Sequence, residues 1–396
     1  MFQASILKGL LAPVAGIGAE RLHRYSSYPG RKNALRISRQ GFMLQNPRVW
    51  LNVSPSPLPN DTPVEEVYVD AGAMKTALAT VRNDSYVSIE YNKINDKHAY
   101  LLILINAVRT QTSKHIRCCD KPDIHDLIIE DMYTTTSESI LGFFNRMKPF
   151  LATDPYRTNL GGINFHKSTA EISPVANLGG IRAVATDGYC LALEDYPEIA
   201  GFFDHEALQD FTVTSPPWKL MSFLKRYSGP LALVSKAFCR NPEDGTISAQ
   251  YMMIQSGSWK IALPFITDAP YPSIYQLFNE YEGTSISLKK DVVSVFSSTS
   301  KSVAIEASDG TLSMITHKSK FPEAEKTITA VTLSAAYPKD QAFKVGFETK
   351  LLEKVFNYLE VPVITLQANK EHLRQHIVCV PKRVCLVMPI RVDVFP

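Results

Sequence analysis

The chain has 396 residues, with 42 lysines and arginines against 39 aspartates and glutamates, so its formal net charge is only +3. This balance excludes a polycation that binds nucleic acid through bulk charge, and any such binding must depend on where the basic residues lie. No apolar run reaches about 18 residues, which excludes an ordinary membrane-spanning helix. The six cysteines form neither a CxxC pair nor the spacing of a zinc site, which favours a reducing, cytoplasmic location.

The first stretch of the chain predicts one helix followed by short strands. An amphipathic helix is predicted over residues 5–21, close to the basic Arg21 and Arg24. The alternative, a signal peptide, lacks a clean small-residue cleavage site. Strands are then predicted over 34–39, 41–45 and 49–53, and a proline-rich loop over 55–63.

An internal repeat follows. Residues 67–90 and 211–234 align without a gap, which places Lys75 on Lys219 and Arg82 on Arg226. Each copy has the pattern of a strand, a helix, a turn and a second strand. A third copy, shifted by one residue, begins at 344 and contains a predicted helix over 349–359 that carries two lysines, Lys350 and Lys354. Three copies in a chain of this length predict three like units.

A second helix is predicted in each unit, ahead of the repeated segment. In the middle unit, Thr136 and Ser137 precede a helix with one apolar face, formed by Ile140, Phe143, Phe144, Met147 and Leu151. In the third unit, a helix with Lys289 and Lys290 in its first turn follows an extended run. The sequence therefore predicts six helices in three domains, at 1–129, 130–281 and 282–396.

Basic residues recur on or near these helices. A lysine in the first turn opposes the helix macrodipole, so its placement suggests a purpose other than helix stability. If the basic faces all point the same way, they form a positive surface that contacts phosphates without reading bases. The alternative, that these charges only keep outer faces solvated, stays open. The predicted DNA contacts are Arg21, Arg24, Lys75, Arg82, Arg146, Lys148, Arg157, Lys219, Arg226, Lys289, Lys290, Lys350 and Lys354.

Enzyme signatures are missing from the sequence. There is no phosphate-binding GxxxxGK[ST] loop, no GxSxG nucleophile turn and no HExxH zinc helix. His372 and His376 have helical spacing, and we interpret them as surface residues. We therefore predict a non-catalytic protein without a metal or cofactor, and we disfavour an enzyme with a small substrate in a cleft.

Two segments resemble a known family. They are Val184-Ala-Thr-Asp-Gly-Tyr-Cys-Leu-Ala192 and Cys385-Leu-Val-Met-Pro-Ile-Arg-Val392. They are similar to the V-A-T-D-G-H-R-L-A and V-M-P-M-R-L stretches of the bacterial DNA polymerase III beta subunit, the DNA sliding clamp. Weaker similarities at 160–165, 271–272 and 344–347 occur in the same order. The resemblance implies an α+β fold of three repeated clamp domains, each with two helices packed on antiparallel sheets, closing into a ring.

In this family, the two segments line a hydrophobic cleft for short partner peptides. By resemblance, the cleft here consists of Leu160, Thr186, Gly188, Tyr189, Cys190, Leu191, Pro272, Leu277, Val387, Met388, Pro389, Ile390 and Arg391. Tyr189 and Cys190 replace the family's His-Arg, and Gln276 replaces a usual basic residue, so ligand preference is expected to differ. The chain also extends to residue 396, and we predict that Val394 and Phe395 fold against a nearby cleft.

The resemblance implies a processivity factor that encircles double-stranded DNA without sequence preference. Its expected partners are a replicative DNA polymerase, an ATP-driven clamp loader and a second copy of the chain in a head-to-tail homodimer, in the cytoplasm at the nucleoid and away from membranes. The long loops fit a divergent chromosomal, plasmid or phage member. The alternative is a non-ring, clamp-like protein that binds linear DNA as a monomer.

Overall fold

The computed structural model describes most of the chain in separate stretches. The described residues are 2–11, 34–38, 41–46, 49–53, 66–95, 98–107, 110–119, 127–154, 156–167, 181–195, 210–216, 218–240, 244–267, 270–274, 277, 285–299, 301–308, 311–316, 335–336, 343–367 and 376–390.

Within these residues the chain forms six α-helices and 24 strands. The helices are α1 (Ala4–Leu10), α2 (Ala71–Leu78), α3 (Ser137–Met147), α4 (Trp218–Tyr227), α5 (Lys290–Thr299) and α6 (Thr349–Leu359). The strands are β1 (Phe2–Gln3), β2 (Ala34–Ser38), β3 (Gly41–Asn46), β4 (Val49–Val53), β5 (Val67–Asp70), β6 (Tyr86–Asn95), β7 (His98–Ala107), β8 (Thr110–Cys119), β9 (Ile128–Thr136), β10 (Gly162–Lys167), β11 (Ile181–Thr186), β12 (Cys190–Asp195), β13 (Asp210–Thr214), β14 (Leu231–Arg240), β15 (Ile247–Ser256), β16 (Trp259–Ile266), β17 (Ser285–Lys289), β18 (Ser302–Ser308), β19 (Thr311–Thr316), β20 (Ala335–Ala336), β21 (Phe343–Glu348), β22 (Val363–Gln367), β23 (His376–Val380) and β24 (Arg383–Val387). None of the helices in these ranges is long and apolar enough to cross a membrane.

The chain divides into two compact units, one formed by Met1–Asn145 with Val213–Phe265 and the other by Arg146–Thr212 with Ile266–Pro396. In the first unit, antiparallel pairings run in the order β1, β6, β7, β8, β5, β2, β3, β4, β16, β15, β14, β9. The pairing of β4 with β16 therefore joins a strand of the predicted first domain to one of the predicted second domain.

The second unit contains a corresponding sheet and a smaller one. Antiparallel pairings run in the order β10, β11, β12, β24, β23, β22, β17, β20. A separate three-stranded sheet has the order β19, β18, β21. Here the pairing of β12 with β24 crosses the predicted boundary at 281/282. Parts of the predicted middle domain, 130–281, therefore belong to each of the two units. The division of the chain into three domains stays a prediction.

The strand–helix–strand repeat is present at all three predicted places, as β5–α2–β6, β13–α4–β14 and β21–α6–β22. Local chemistry explains where α2 begins, because the Asp70 side chain accepts a hydrogen bond from the Ala73 amide at 2.7 Å. The helix α6 buries an apolar stripe that includes Leu352, Val355 and Phe356. It ends where Glu360 adopts a left-handed backbone conformation with φ of 57°.

Three details of the sequence prediction were wrong. Helix α1 ends at Leu10, far short of residue 21, although residues 12–33 lie outside the described part of the chain. Lys289 is the last residue of β17, so Lys290 alone of the two lysines belongs to the first turn of α5. Leu151 lies beyond α3, because a short 3-10 turn at Lys148–Phe150 ends that segment.

A buried polar group lies beside the apolar core of the second unit. The fully buried Arg182 donates from Nε to Asp195 Oδ1 at 3.2 Å. His166 is opposite Arg182 in the β10–β11 register and is also buried. Burial, with a smaller contribution from the Arg182 charge, lowers the pKa of His166 to about 4. His166 is therefore a neutral core histidine at physiological pH.

Candidate functional site

The turn between β11 and β12 is built by the side chains that precede it. Asp187 Oδ1 accepts hydrogen bonds from the amides of Tyr189 at 2.9 Å and Cys190 at 2.8 Å. Thr186 Oγ1 donates to the Cys190 carbonyl at 2.7 Å and accepts from the Gly188 amide at 3.1 Å. These bonds satisfy the backbone groups of the turn and give it one defined shape.

The backbone conformation favours glycine at the tip of this turn, and the Arg157 side chain lies close to it. Gly188 has φ of +90°, a region that residues with a side chain rarely adopt. A Cβ atom there would also lie 2.5 Å from Arg157 Nη1. Arg157 Nη1 in turn donates to the Asp187 carbonyl at 3.1 Å, so the guanidinium packs directly against the turn.

The structure joins the two segments that carried the family resemblance. β12 pairs with β24 so that Cys190 lies opposite Val387. Beyond the strands, the Met388 amide donates to the Tyr189 carbonyl at 2.9 Å, and the Ile390 amide donates to the Gly346 carbonyl at 2.9 Å. Tyr189 and Met388, almost 200 residues apart in the chain, are therefore direct neighbours.

A cluster of buried apolar side chains, the apolar floor, includes residues of the strands that meet at this junction. It is formed by buried side chains of β11, β12, β24 and the segment after β16, namely Val184, Leu191, Leu193, Ile274, Val384 and Leu386, with Tyr271 and Cys379 packed against them. The predicted cleft contained only Leu191 of this group. Four of its members lie at every second position of two strands, Leu191 and Leu193 on β12 and Val384 and Leu386 on β24. Because side chains two residues apart on a strand face the same side of a sheet, this alternation is the sequence signal that could have found them.

Several apolar side chains around the junction are exposed. Tyr156 is 80% exposed, Tyr189 60%, Met388 38% and Leu277 37%. Such a group of exposed apolar side chains above an apolar floor is typical of a binding surface. Among the other residues of the predicted cleft, Pro272 is exposed, and Leu160, Pro389 and Ile390 are half-buried.

Other members of the predicted cleft are buried rather than open to a ligand. Cys190, Leu191, Thr186 and Val387 are all at most 9% exposed. Burial raises the pKa of the Cys190 thiol to about 12, so it is a neutral, packed side chain. Arg391 and Gln276, like the predicted tail contact of Val394 and Phe395, lie outside the described residues.

The predicted DNA contacts fall in both units. In the first unit, Arg82 and Arg226 are exposed, and the Arg82 guanidinium pairs with Asp84 at 3.2 Å. Lys75 is half-buried. The Lys219 side chain lies outside the described part of the structure, and so do residues Arg21 and Arg24. His372, which was predicted to be a surface residue, is also outside it. In the second unit, the exposed members are Arg157, Lys289, Lys290 and Lys350, and Lys148 is half-buried.

Two of the predicted contacts have carboxylate partners within the second unit. Arg146 donates from Nη2 and Nε to the two carboxylate oxygens of Glu194, at 2.5 Å and 3.2 Å. Lys354 Nζ lies 2.5 Å from Asp187 Oδ2 and 5.2 Å from the centre of the Phe150 ring. Both side chains are about one-fifth exposed, so their charges are engaged inside the protein.

Comparison with known proteins identifies the fold. No family model matches the sequence, and no curated protein matches it either. The structure is similar to a DNA polymerase sliding clamp from Pseudomonas aeruginosa solved with a ligand, with a TM-score of 0.68, 16% identity and 99% of each chain covered. A Caulobacter crescentus beta sliding clamp matches with a TM-score of 0.71 and 15% identity, over 99% of this chain and 98% of that one. The Bartonella birtlesii clamp bound to griselimycin matches with a TM-score of 0.68 and 13% identity, over 98% and 97%. The chain therefore has the fold of the DNA polymerase III beta sliding clamps.

Proposed function

We propose that this chain is a DNA sliding clamp, a non-catalytic processivity factor that encircles duplex DNA and binds partner proteins through the cleft beside Tyr189 and Met388. The observation that carries the proposal is the match to sliding clamps along essentially the whole of both chains. The exposed apolar rim above a buried apolar floor supports the peptide-binding role. A replicative polymerase, an ATP-driven loader and a second copy of the chain in a head-to-tail ring complete the proposal.

Topological binding is tested by comparing circular with linear DNA. The protein is loaded on a nicked circular plasmid, with the clamp loader supplied as an ATP-containing extract of its own cells, and free protein is removed by gel filtration. A closed ring stays on the circle and is released when a restriction enzyme linearises the plasmid. Retention after linearisation supports the open, non-ring DNA-binding protein instead. Sedimentation measures whether the particle has twice the 44.2 kDa mass of the chain, as the ring requires.

The DNA-contact surface is tested by charge reversal. Replacing the exposed Arg226, Lys289, Lys290 and Lys350 by Glu is expected to lower DNA loading and to flatten its salt dependence, by a slope of about 0.9 for each phosphate that the protein no longer neutralises. A control protein carries the same number of reversals at strand or turn residues outside the predicted set, Lys236, Arg240, Lys260 and Lys382. Equal loading of the two proteins on DNA contradicts the assignment.

The cleft is tested with griselimycin, the ligand of the solved Bartonella birtlesii clamp. Calorimetry measures its affinity for the native protein and for Tyr189→Ser and Met388→Ser, both expected to bind more weakly because they remove exposed apolar area from the rim. Val295→Ser is the matched control, because Val295 is an apolar side chain of the same unit that is 63% exposed on α5. Equal losses in all three variants contradict the placement of the cleft.

A further inference from the structure

The carboxylate of Asp187 is shared between the cleft turn and helix α6. Its Oδ1 atom accepts from the amides of Tyr189 and Cys190, and its Oδ2 atom lies 2.5 Å from Lys354 Nζ. One oxygen therefore shapes the turn, while the other is held by a lysine that its sequence pattern predicts to contact DNA. We propose that Lys354 is a positioning residue of the cleft, which fixes the turn through Asp187, and that it is not a phosphate contact. This inference rests on the proposed binding function of the cleft.

The surroundings of Lys354 favour this role. Its side chain is 18% exposed and that of Asp187 is 19%, so solvent screens the ion pair only in part. The ammonium group also lies 5.2 Å from the centre of the Phe150 ring, which provides a second favourable contact for the cation. Lys350, one helical turn earlier on α6, is exposed. The two lysines of this helix therefore have different environments, although the sequence predicts the same role, a DNA contact, for both.

The position of Asp187 is transmitted to the rim of the cleft by short bonds. Tyr189, whose amide bonds to Asp187, uses its carbonyl to accept from the Met388 amide at 2.9 Å. On the other side, Arg157 Nη1 holds the Asp187 carbonyl at 3.1 Å. Lys354 and Arg157 thus hold one residue from two directions. Loss of the lysine leaves a carboxylate that must turn towards water, which loosens the amides of the turn and separates Tyr189 from Met388.

The test compares two lysine-to-methionine variants of the same helix. Methionine keeps most of the apolar stem and removes the charge. We expect Lys354→Met to weaken griselimycin binding about tenfold, as the loss of one charge-assisted hydrogen bond implies, and to leave DNA loading unchanged. Lys350→Met is expected to lower DNA loading and to leave griselimycin binding unchanged. Lys354→Arg, which restores a cation, is expected to recover most of the griselimycin affinity. Thermal unfolding of each variant shows whether it is folded.

A double-mutant cycle separates positioning from general destabilisation. Asp187→Asn keeps an oxygen that accepts from the turn amides but removes the charge that Lys354 pairs with. If the lysine acts through this carboxylate, the double variant binds griselimycin no more weakly than the weaker single variant. Independent, additive losses overturn the proposal, as does a Lys354→Met protein that loses DNA loading but keeps griselimycin affinity.

Amide hydrogen exchange gives a readout that needs no ligand. Faster exchange at Tyr189 and Cys190 in Lys354→Met than in the native protein supports the positioning role, and unchanged exchange overturns it. If the native protein binds neither griselimycin nor DNA, the proposed function fails. The exchange rates then still decide whether Lys354 sets the shape of the turn.

Discussion

Removing one partner of the pair of Arg146 and Glu194 should strongly destabilise the second unit. The Glu194 side chain is 7% exposed, and both of its oxygens accept from Arg146, at 2.5 Å and 3.2 Å. Arg383 Nε lies 3.8 Å from the same carboxylate but has a second partner, Glu360, at 3.0 Å. Glu194→Gln therefore leaves Arg146 as the more poorly compensated cation.

The magnitude follows from burial. Removing one partner of a buried ion pair typically costs about 3 to 5 kcal/mol, because the other charge stays buried without compensation. The Arg146 side chain is 20% exposed, so the lower end applies and we expect Glu194→Gln to lose about 3 kcal/mol of unfolding free energy. For a unit of roughly 200 residues this corresponds to a fall in Tm of roughly 6 to 12 °C.

Calorimetric unfolding of four proteins measures this effect. They are the native protein, Glu194→Gln, Arg146→Met and the double variant, whose loss is expected to be smaller than the sum of the two single losses. Glu66→Gln is a control, because Glu66 is 41% exposed in its pair with Arg36 and should cost at most about 1 kcal/mol. Additive losses, or a Glu194→Gln protein as stable as the control, refute the reasoning. Arg146→Met also tests the predicted DNA contact, since the paired Arg146 should matter for stability, and this variant, where folded, should load on DNA as the native protein does.

Three further predictions concern residues of the second unit. The buried His166 binds a proton only below its lowered pKa of about 4, whereas the unfolded chain binds one below about 6.5. The free energy of unfolding should therefore fall by about 3 kcal/mol as the pH falls from 6.5 to 4. Chemical denaturation across this range should show that His166→Gln removes this decrease, and a variant with the same pH dependence as the native protein contradicts the prediction. Gly188→Ala should lower stability by about 1 kcal/mol or more because of the positive φ, and it should weaken griselimycin binding because the new methyl group displaces Arg157 Nη1 from the turn. Calorimetry that finds both quantities unchanged contradicts the described turn. Cys190 and Cys385, whose pKa values burial raises, should resist alkylation in the native protein at pH 8 and react on unfolding, as mass spectrometry can measure.

Much of the fold followed from local patterns in the sequence. The repeated strand–helix–strand segments and the positions of the six helices depend on apolar periodicity and on capping or turn residues, which act within a few residues of each other. Asp70, for example, marks the start of α2 both in the sequence and in the structure. The end of α1 was missed because the prediction followed the apolar run past Leu10, although Pro13 stands three residues beyond Leu10, where a proline typically marks the end of a helix.

The sequence by itself determined the three repeats, the basic character of their helices and the two segments that line the candidate cleft. Tertiary structure alone decided that β12 pairs with β24, that Tyr189 meets Met388, and that Lys354 pairs with Asp187 instead of facing solvent like Lys350. The physical reason is that strand pairing and ion-pair formation join residues far apart in the chain. Periodicity shows which face of an element is polar, but only packing shows whether a charge on that face meets water or a carboxylate.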